Sequence, residues 1–307
     1  MRKTVAPIFL TGVILVIVTD AAWAASPDNA LDKIVDLYRN NTKNWEATLK
    51  GFALNLFWLL AVIEFSFAAL RLAFRGADLG EWLWEIVSQI LFIGFFLAIL
   101  LHAGEWARII VESFQAAAKG AAEANHIAGG LAPSDIFDVG MQVASRFVEA
   151  TSLWSPSASL GLLLSALVVI VCFALIAAFL ILALVESYVV ISAGVLFMGF
   201  GGSRWTKDFA VKILVYAVSV GAKLFILQLL VALGAQIFSD LAASVETNNA
   251  SLFVIIGSSI VLLALTKIIP EMIQGLINGT SFAGGGAMTS TAAGAVAVGA
   301  SAAVATR

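Results

Sequence analysis

The chain has 307 residues, 61% of them hydrophobic and 12% charged, with a net charge of −3. An average soluble domain is about 45–50% apolar and about 25% charged, so this chain lacks the polar surface that a soluble fold of its length needs. Lys and Arg are dispersed rather than gathered on one face, which gives no footprint for nucleic acid.

Arg2 and Lys3 precede a mostly apolar stretch from Val5 to Val18, and Ala22-Trp23-Ala24 fits the small-x-small cleavage pattern. Residues 1–24 therefore read as a secretory signal that leaves Ala25 as the mature terminus. An uncleaved anchor helix is the other reading; in both, residue 25 emerges on the far side of a bacterial inner membrane. Ser26-Pro27-Asp28-Asn29 is a helix start, with a capping serine and proline at the first helical position. Residues 25–50 are expected to form a periplasmic amphipathic helix. Leu31, Ile34, Val35 and Tyr38 supply its apolar face, while Asp32, Lys33, Asp36 and Arg39 turn to water.

Residues 51–101 hold the first two spans, Gly51 to Phe74 and Leu83 to Leu101, joined by the connector Arg75 to Trp82. Trp82, Trp84 and Trp106 bracket the second span at the interfaces. Residues 102–159 return as a polar periplasmic segment in which Gly129-Gly130 breaks one helix and Ala132-Pro133-Ser134-Asp135 starts another.

A transmembrane core is expected over 160–272, with apolar runs at 160–185, 213–238 and 251–269, each able to cross about 30 Å of hydrocarbon at about 1.5 Å per residue. Glu186 is expected to stop the first of these. The piece 188–200 is too short for a span of its own, so a buried or interfacial helix, or a continuation of the preceding span, is expected there. The basic loop 201–212 follows, and Lys267 and Pro270 are expected to close the last span. From 273 to 307 the composition shifts to Gly, Ala, Ser and Thr, the mark of a mobile or weakly helical cytoplasmic tail.

The loops 71–82 and 202–212 hold five basic residues in 23, against seven in 96 over 25–50, 102–159 and 239–250. By the positive-inside rule the N-terminus is periplasmic and the C-terminus cytoplasmic. The fold class is all-α: a polytopic transmembrane helix bundle of about five spans with a periplasmic N-terminal amphipathic helix.

Catalytic, cofactor and metal signatures are missing from the pattern. There is no Gly-x-Ser-x-Gly elbow, no phosphate-binding glycine loop and no His-Glu-x-x-His. His102 and Glu105 share a helix face, but two ligands make a poor zinc site and interfacial solvation explains them. Cys172 reads as a small packing residue inside a span.

Four charges stand at membrane depth: Glu64, Arg71, Glu186 and Lys223. Each buried charge costs about 2.5–3.5 kcal/mol on insertion scales and needs a partner or a water-filled space. Arg71 can snorkel. Lys223 either bridges to Glu64 or Glu186 or lines a polar lumen at the axis of an oligomer. Ala217, Gly221 and Ala222 on the same span are compatible with close helix contacts. Glu64, Lys223 and the glycine-broken segment also admit a different class, a secondary transporter or channel with a polar intramembrane site.

The run Gly194-Val195-Leu196-Phe197-Met198-Gly199-Phe200-Gly201-Gly202-Ser203-Arg204-Trp205-Thr206-Lys207-Asp208, continued by Val220-Gly221-Ala222-Lys223-Leu224-Phe225, resembles the central motif of the TrbL family of conjugal transfer proteins. The signal-like start, the five-span layout and the Gly/Ala-rich tail are similar to that family as well, though many members continue further. The resemblance implies an inner-membrane subunit of a type IV secretion system for conjugation. Such a subunit would contribute to the base of the translocation channel or stalk, to pilus assembly and to transfer of a DNA–protein substrate. It implies a homo-oligomer in the lipid bilayer beside pilin, the minor pilus-tip subunit, scaffold proteins and ATPases, with transient contact to the transferred DNA and relaxase. On this chain Gly199, Gly201 and Gly202 would bend the backbone. Arg204 and Lys207 would meet lipid phosphate or an ATPase, and Trp205 would fix the depth of the loop. Topology and anchoring alone account for these residues equally; partner docking is the sharper expectation.

Overall fold

The computed structural model describes residues 30–76, 78–124, 132–149, 151, 156–244 and 249–279. The expectations for the signal 1–24, the Ser26 cap, Gly129-Gly130 and the tail beyond 279 lie outside the described residues. Among the described residues six α-helices follow in order: α1 (Ala30–Arg75), α2 (Leu79–Ala124), α3 (Pro133–Glu149), α4 (Pro156–Met198), α5 (Lys207–Ser244) and α6 (Asn249–Ile277), with a 3-10 turn at Gly199–Gly202 between α4 and α5. All but α3 are long and apolar enough to cross a membrane. The all-α, five-span expectation therefore describes the molecule.

The helices outrun the expected spans. The amphipathic segment and the first span form one 46-residue helix, about 70 Å of rise and more than twice the hydrocarbon thickness. Gly51 lies inside α1 with open space around it, and a single glycine costs a helix only about 0.5–1 kcal/mol. Thr42 Oγ1 donates back to the Tyr38 carbonyl at 2.8 Å, so its hydroxyl is satisfied within the helix. The second span likewise continues past Leu101 to Ala124. Glu186 does not stop α4, which runs unbroken to Met198, so 188–200 mostly continues the third span. Glutamate is a good helix former, and only the glycines after Met198 end the helix. Pro270 sits inside α6 rather than closing it. Proline removes one N–H from the ladder without ending it; the stop comes at Gly279, in the left-handed region at φ +71°.

The turn between α1 and α2 is tighter than the expected connector. Gly76 takes φ +64°, and the Asp78 carboxylate accepts the Glu81 N–H at 2.8 Å as an N-cap.

The chain divides into two compact units, described separately. One comprises Glu46–Ala118, Val189–Leu227 and the chain from Leu265. There α1 and α2 run antiparallel: Lys50 Nζ donates to the Leu101 carbonyl at 2.5 Å, and Arg108 pairs with Glu46 at 3.0 Å. Its core joins Ala53 and Phe57 of α1, Phe96, Ile99, Leu100 and Ala103 of α2, Val195 and Met198 of α4 and Ala210 of α5.

The other unit includes residues through Trp45, Lys119–Tyr188 and Gln228–Ala264. Helix α3 buries Ile136, Gly140, Val143, Ala144 and Phe147 on one stripe. Gly140 allows the close approach of Phe173, whose ring meets Phe238 edge-on at 4.9 Å. Asp32 does not face water as expected; it accepts from the Ser134 hydroxyl and, at 3.5 Å, from the Ser134 N–H at the start of α3. On the expected apolar face Val35 is buried, but Ile34 and Tyr38 are exposed.

Candidate functional site

The loop between α4 and α5 is seated on α1 and α2 by close backbone approach. A Cβ at Gly202 would lie 2.2 Å from the Phe57 carbonyl oxygen, one at Gly199 2.6 Å from that of Ala53, and one at Gly201 2.6 Å from the Phe96 ring. None of the three has positive φ. Side chains do not fit at these three positions, and the same glycines form the 3-10 turn that ends α4.

This seating brings Ser203 onto Glu64. The Ser203 hydroxyl donates to Glu64 Oε2 at 2.6 Å, and the carboxylate is only 4% exposed. Ser203 Oγ also accepts the Trp205 N–H at 3.3 Å. Thr206 Oγ1 donates to the Phe200 carbonyl at 2.6 Å, and the Ser203 carbonyl accepts the Lys207 N–H at 3.0 Å, closing the loop and opening α5. Of the alternatives open to Lys223, a bridge to Glu64 or to Glu186 or a polar lumen, the first is not seen among the described residues, since the hydrogen bond of Glu64 comes from Ser203. Glu186 and Lys223 are both half-buried, and neither is without a partner.

Arg204 turns toward α2. Its guanidinium donates to Ser88 Oγ at 2.8 Å, lies 3.5 Å from Glu85 and stands 5.7 Å from the centre of the Phe92 ring, all on α2. These are contacts of a clamp that ties the loop to α2. Arg204→Ala is expected to lower stability by about 1.5–3 kcal/mol, the range for hydrogen bonds to charged groups. Arg204→Lys should recover only part of it, because one ammonium cannot reproduce the guanidinium fork. Thermal unfolding of the purified variants measures both.

With Arg204 and Ser203 turned in, the next residue turns out. Trp205 is 72% exposed and stacks on Phe67 of α1, ring centres 5.6 Å apart and 21° from parallel. Lys207, Lys212, Arg71 and Arg75 are exposed. His102 Nδ1 lies 2.9 Å from the Ala98 carbonyl, and its ring stacks on Trp106.

Sequence reading missed three members of this cluster: Ser203 as the partner of Glu64, and Glu85 and Ser88 as the partners of Arg204. A buried carboxylate signals the need for a donor, but its identity depends on a contact 139 residues away along the chain.

Polarity is inverted relative to a soluble protein. Phe52, Trp58, Leu59, Val62, Phe65 and Leu70 of α1 are exposed, whereas Glu64, Gln89, Ser192, Ser203 and Ser219 are buried. Apolar surface on this scale along five long helices belongs in lipid. The molecule is a multi-pass membrane protein.

A family profile described as "TrbL/VirB6 plasmid conjugal transfer protein" matches residues 61–269, a stretch that contains the whole α4–α5 loop. The chain is 38% identical over 251 residues to the Sinorhizobium fredii protein named "Probable conjugal transfer protein TrbL". It is 39% identical over 251 residues to the conjugal transfer protein TrbL of Rhizobium radiobacter. Each alignment covers 79% of this chain and 62% or 61% of the relative, so the chain spans about three fifths of the length of these relatives. The chain belongs to the TrbL/VirB6 family of conjugal transfer proteins.

Proposed function

We propose that this chain is an inner-membrane subunit of a type IV secretion system. In this reading it contributes to the base of the translocation channel or stalk, to pilus assembly and to passage of a DNA–protein substrate. The mature N-terminus lies in the periplasm and the C-terminus in the cytoplasm. It works as a homo-oligomer with pilin, the minor tip subunit, scaffold proteins and ATPases, and its role is structural rather than enzymatic.

The observation that carries this reading is the family match across the α4–α5 loop, combined with the way that loop is built. Gly199, Gly201 and Gly202 seat it, the Ser203–Glu64 and Arg204–Glu85 contacts clamp it, and Trp205 is left outward on Phe67. A rigidly held, exposed aromatic beside basic side chains suits docking of a partner, since aromatic anchors on fixed elements dominate interface energetics.

The test is conjugation frequency in an in-frame deletion strain that has no second copy, with membrane levels checked on complementation. Loss of transfer that the intact gene restores supports the secretion reading. Unchanged transfer in the deletion strain rejects it and favours the transporter or channel class instead.

A further inference from the structure

Glu64 is not the only polar group sealed beneath the loop. Gln89 of α2 is 1% exposed, and neither its amide oxygen nor its amide nitrogen has a hydrogen-bond partner. Its position on the helix shows where it points. Glu85, Gln89, Phe92 and Phe96 lie four, three and four residues apart, one stripe of a helix. Glu85 and Phe92 contact Arg204, and Phe96 meets Gly201, so the stripe faces the 201–204 loop. The antiparallel pairing of Lys50 with Leu101 and Glu46 with Arg108 sets Glu64 level with Ser88 and Gln89. Gln89 thus enters the same buried layer as Glu64 and Ser203, ten residues into α2, about 15 Å along the helix.

The charges of this layer do not balance. Two carboxylates, Glu64 and Glu85, face one guanidinium, Arg204, which is engaged by Glu85 and Ser88. Glu64 has a single hydrogen bond among the described residues, from a neutral hydroxyl. Among the other charged groups on these elements, Arg71, Arg75, Glu81, Lys207, Asp208 and Lys212 are exposed at the surface, and Lys223 is half-buried and not without a partner. An ionised Glu64 would leave one net negative charge beside an unpartnered amide in this low-dielectric layer, where each is costly without a compensating partner.

We propose that Glu64, Ser203 and Gln89 form an intramembrane site for a small monovalent cation, Na+ or a proton carried by water. The donor set is carboxylate, hydroxyl and amide oxygen, all hard ligands that suit such an ion. Ser203 Oγ keeps a lone pair after donating to Glu64 and accepting from Trp205. A single positive charge neutralises the layer, whereas a divalent ion overcompensates it. The inference stands on this geometry and does not rest on the secretion reading.

The test uses the purified full chain in nanodiscs. Thermal unfolding is followed at a pH above the carboxylate range in Na+, K+ or a large organic cation at equal ionic strength. If Na+ is the occupant, unfolding shifts upward selectively with Na+. Beyond half-saturation each further tenfold in Na+ raises the folded-to-unfolded ratio about tenfold. Glu64→Gln and Gln89→Leu each remove the response, and either variant suffices if the other fails to fold. If the proton is the occupant, no ion is selective, but infrared difference spectra of the wild type show a carboxylic-acid carbonyl band that Glu64→Gln abolishes. Neither signal, or a Na+ response retained in both folded variants, overturns the proposal.

Discussion

Replacing Trp205 with alanine is expected to leave the protein at its normal level in the membrane and to cut conjugation sharply. The ring is 72% exposed and rests on only one described aromatic neighbour, Phe67, so its removal opens no cavity in the core and costs little stability. As a docking anchor its loss is larger. Truncating an interface tryptophan of this kind removes about 2–4 kcal/mol of binding, about thirtyfold to a thousandfold in affinity. Conjugation frequency and quantified membrane levels of the variant, measured in the complemented deletion strain, check both halves. Normal transfer with Trp205→Ala removes the docking role and leaves the loop as a topological anchor. Trp205→Phe is expected to recover most of the transfer, because the stack on Phe67 survives.

Gly202→Ala is expected to produce the opposite signature, loss of the folded protein itself. Its Cβ would meet the Phe57 carbonyl oxygen at 2.2 Å and the carbonyl carbon at 3.0 Å. Backbone within a helix cannot swing aside as a flexible side chain can, so the loop must lift from α1. Overpacking of this sort costs about 1–3 kcal/mol, and lifting the loop also parts Ser203 from Glu64, leaving a carboxylate in the membrane without its donor. The midpoint of thermal unfolding should fall and membrane levels with it. Gly51→Ala serves as the control, since nothing lies within 4 Å of its added Cβ, and there alanine should be neutral or slightly stabilising. Wild-type stability in Gly202→Ala would refute the tight seating of the loop on α1.

Much of the architecture is visible before any coordinates. Apolar runs of spanning length identify five membrane helices because hydrocarbon accepts only backbone that satisfies its own hydrogen bonds. Helix boundaries were less legible. Gly51, Glu186 and Pro270 all read as interruptions, yet α1, α4 and α6 pass through them. Each is a local penalty of limited size, and a long helix packed on neighbours absorbs it.

The residues of the loop were also legible as a group, through the resemblance of 194–208 to a family motif, but their directions were not. Arg204 and Trp205 are adjacent in the chain and were expected to act together at the membrane surface. In the fold they part, Arg204 inward to Glu85 and Ser88, Trp205 outward onto Phe67. The chain alone, then, determined that this is a helical membrane protein, roughly where its spans run, and that Glu64 must find a partner, because hydropathy and the cost of a buried charge are properties of local composition. Only the tertiary structure decided that the partner is Ser203, that the loop glycines serve close approach as well as the turn, and that Gln89 lies level with Glu64 on the facing helix. Those outcomes depend on which helix faces meet, between successive helices as well as across separations of more than a hundred residues, and no local pattern encodes those meetings.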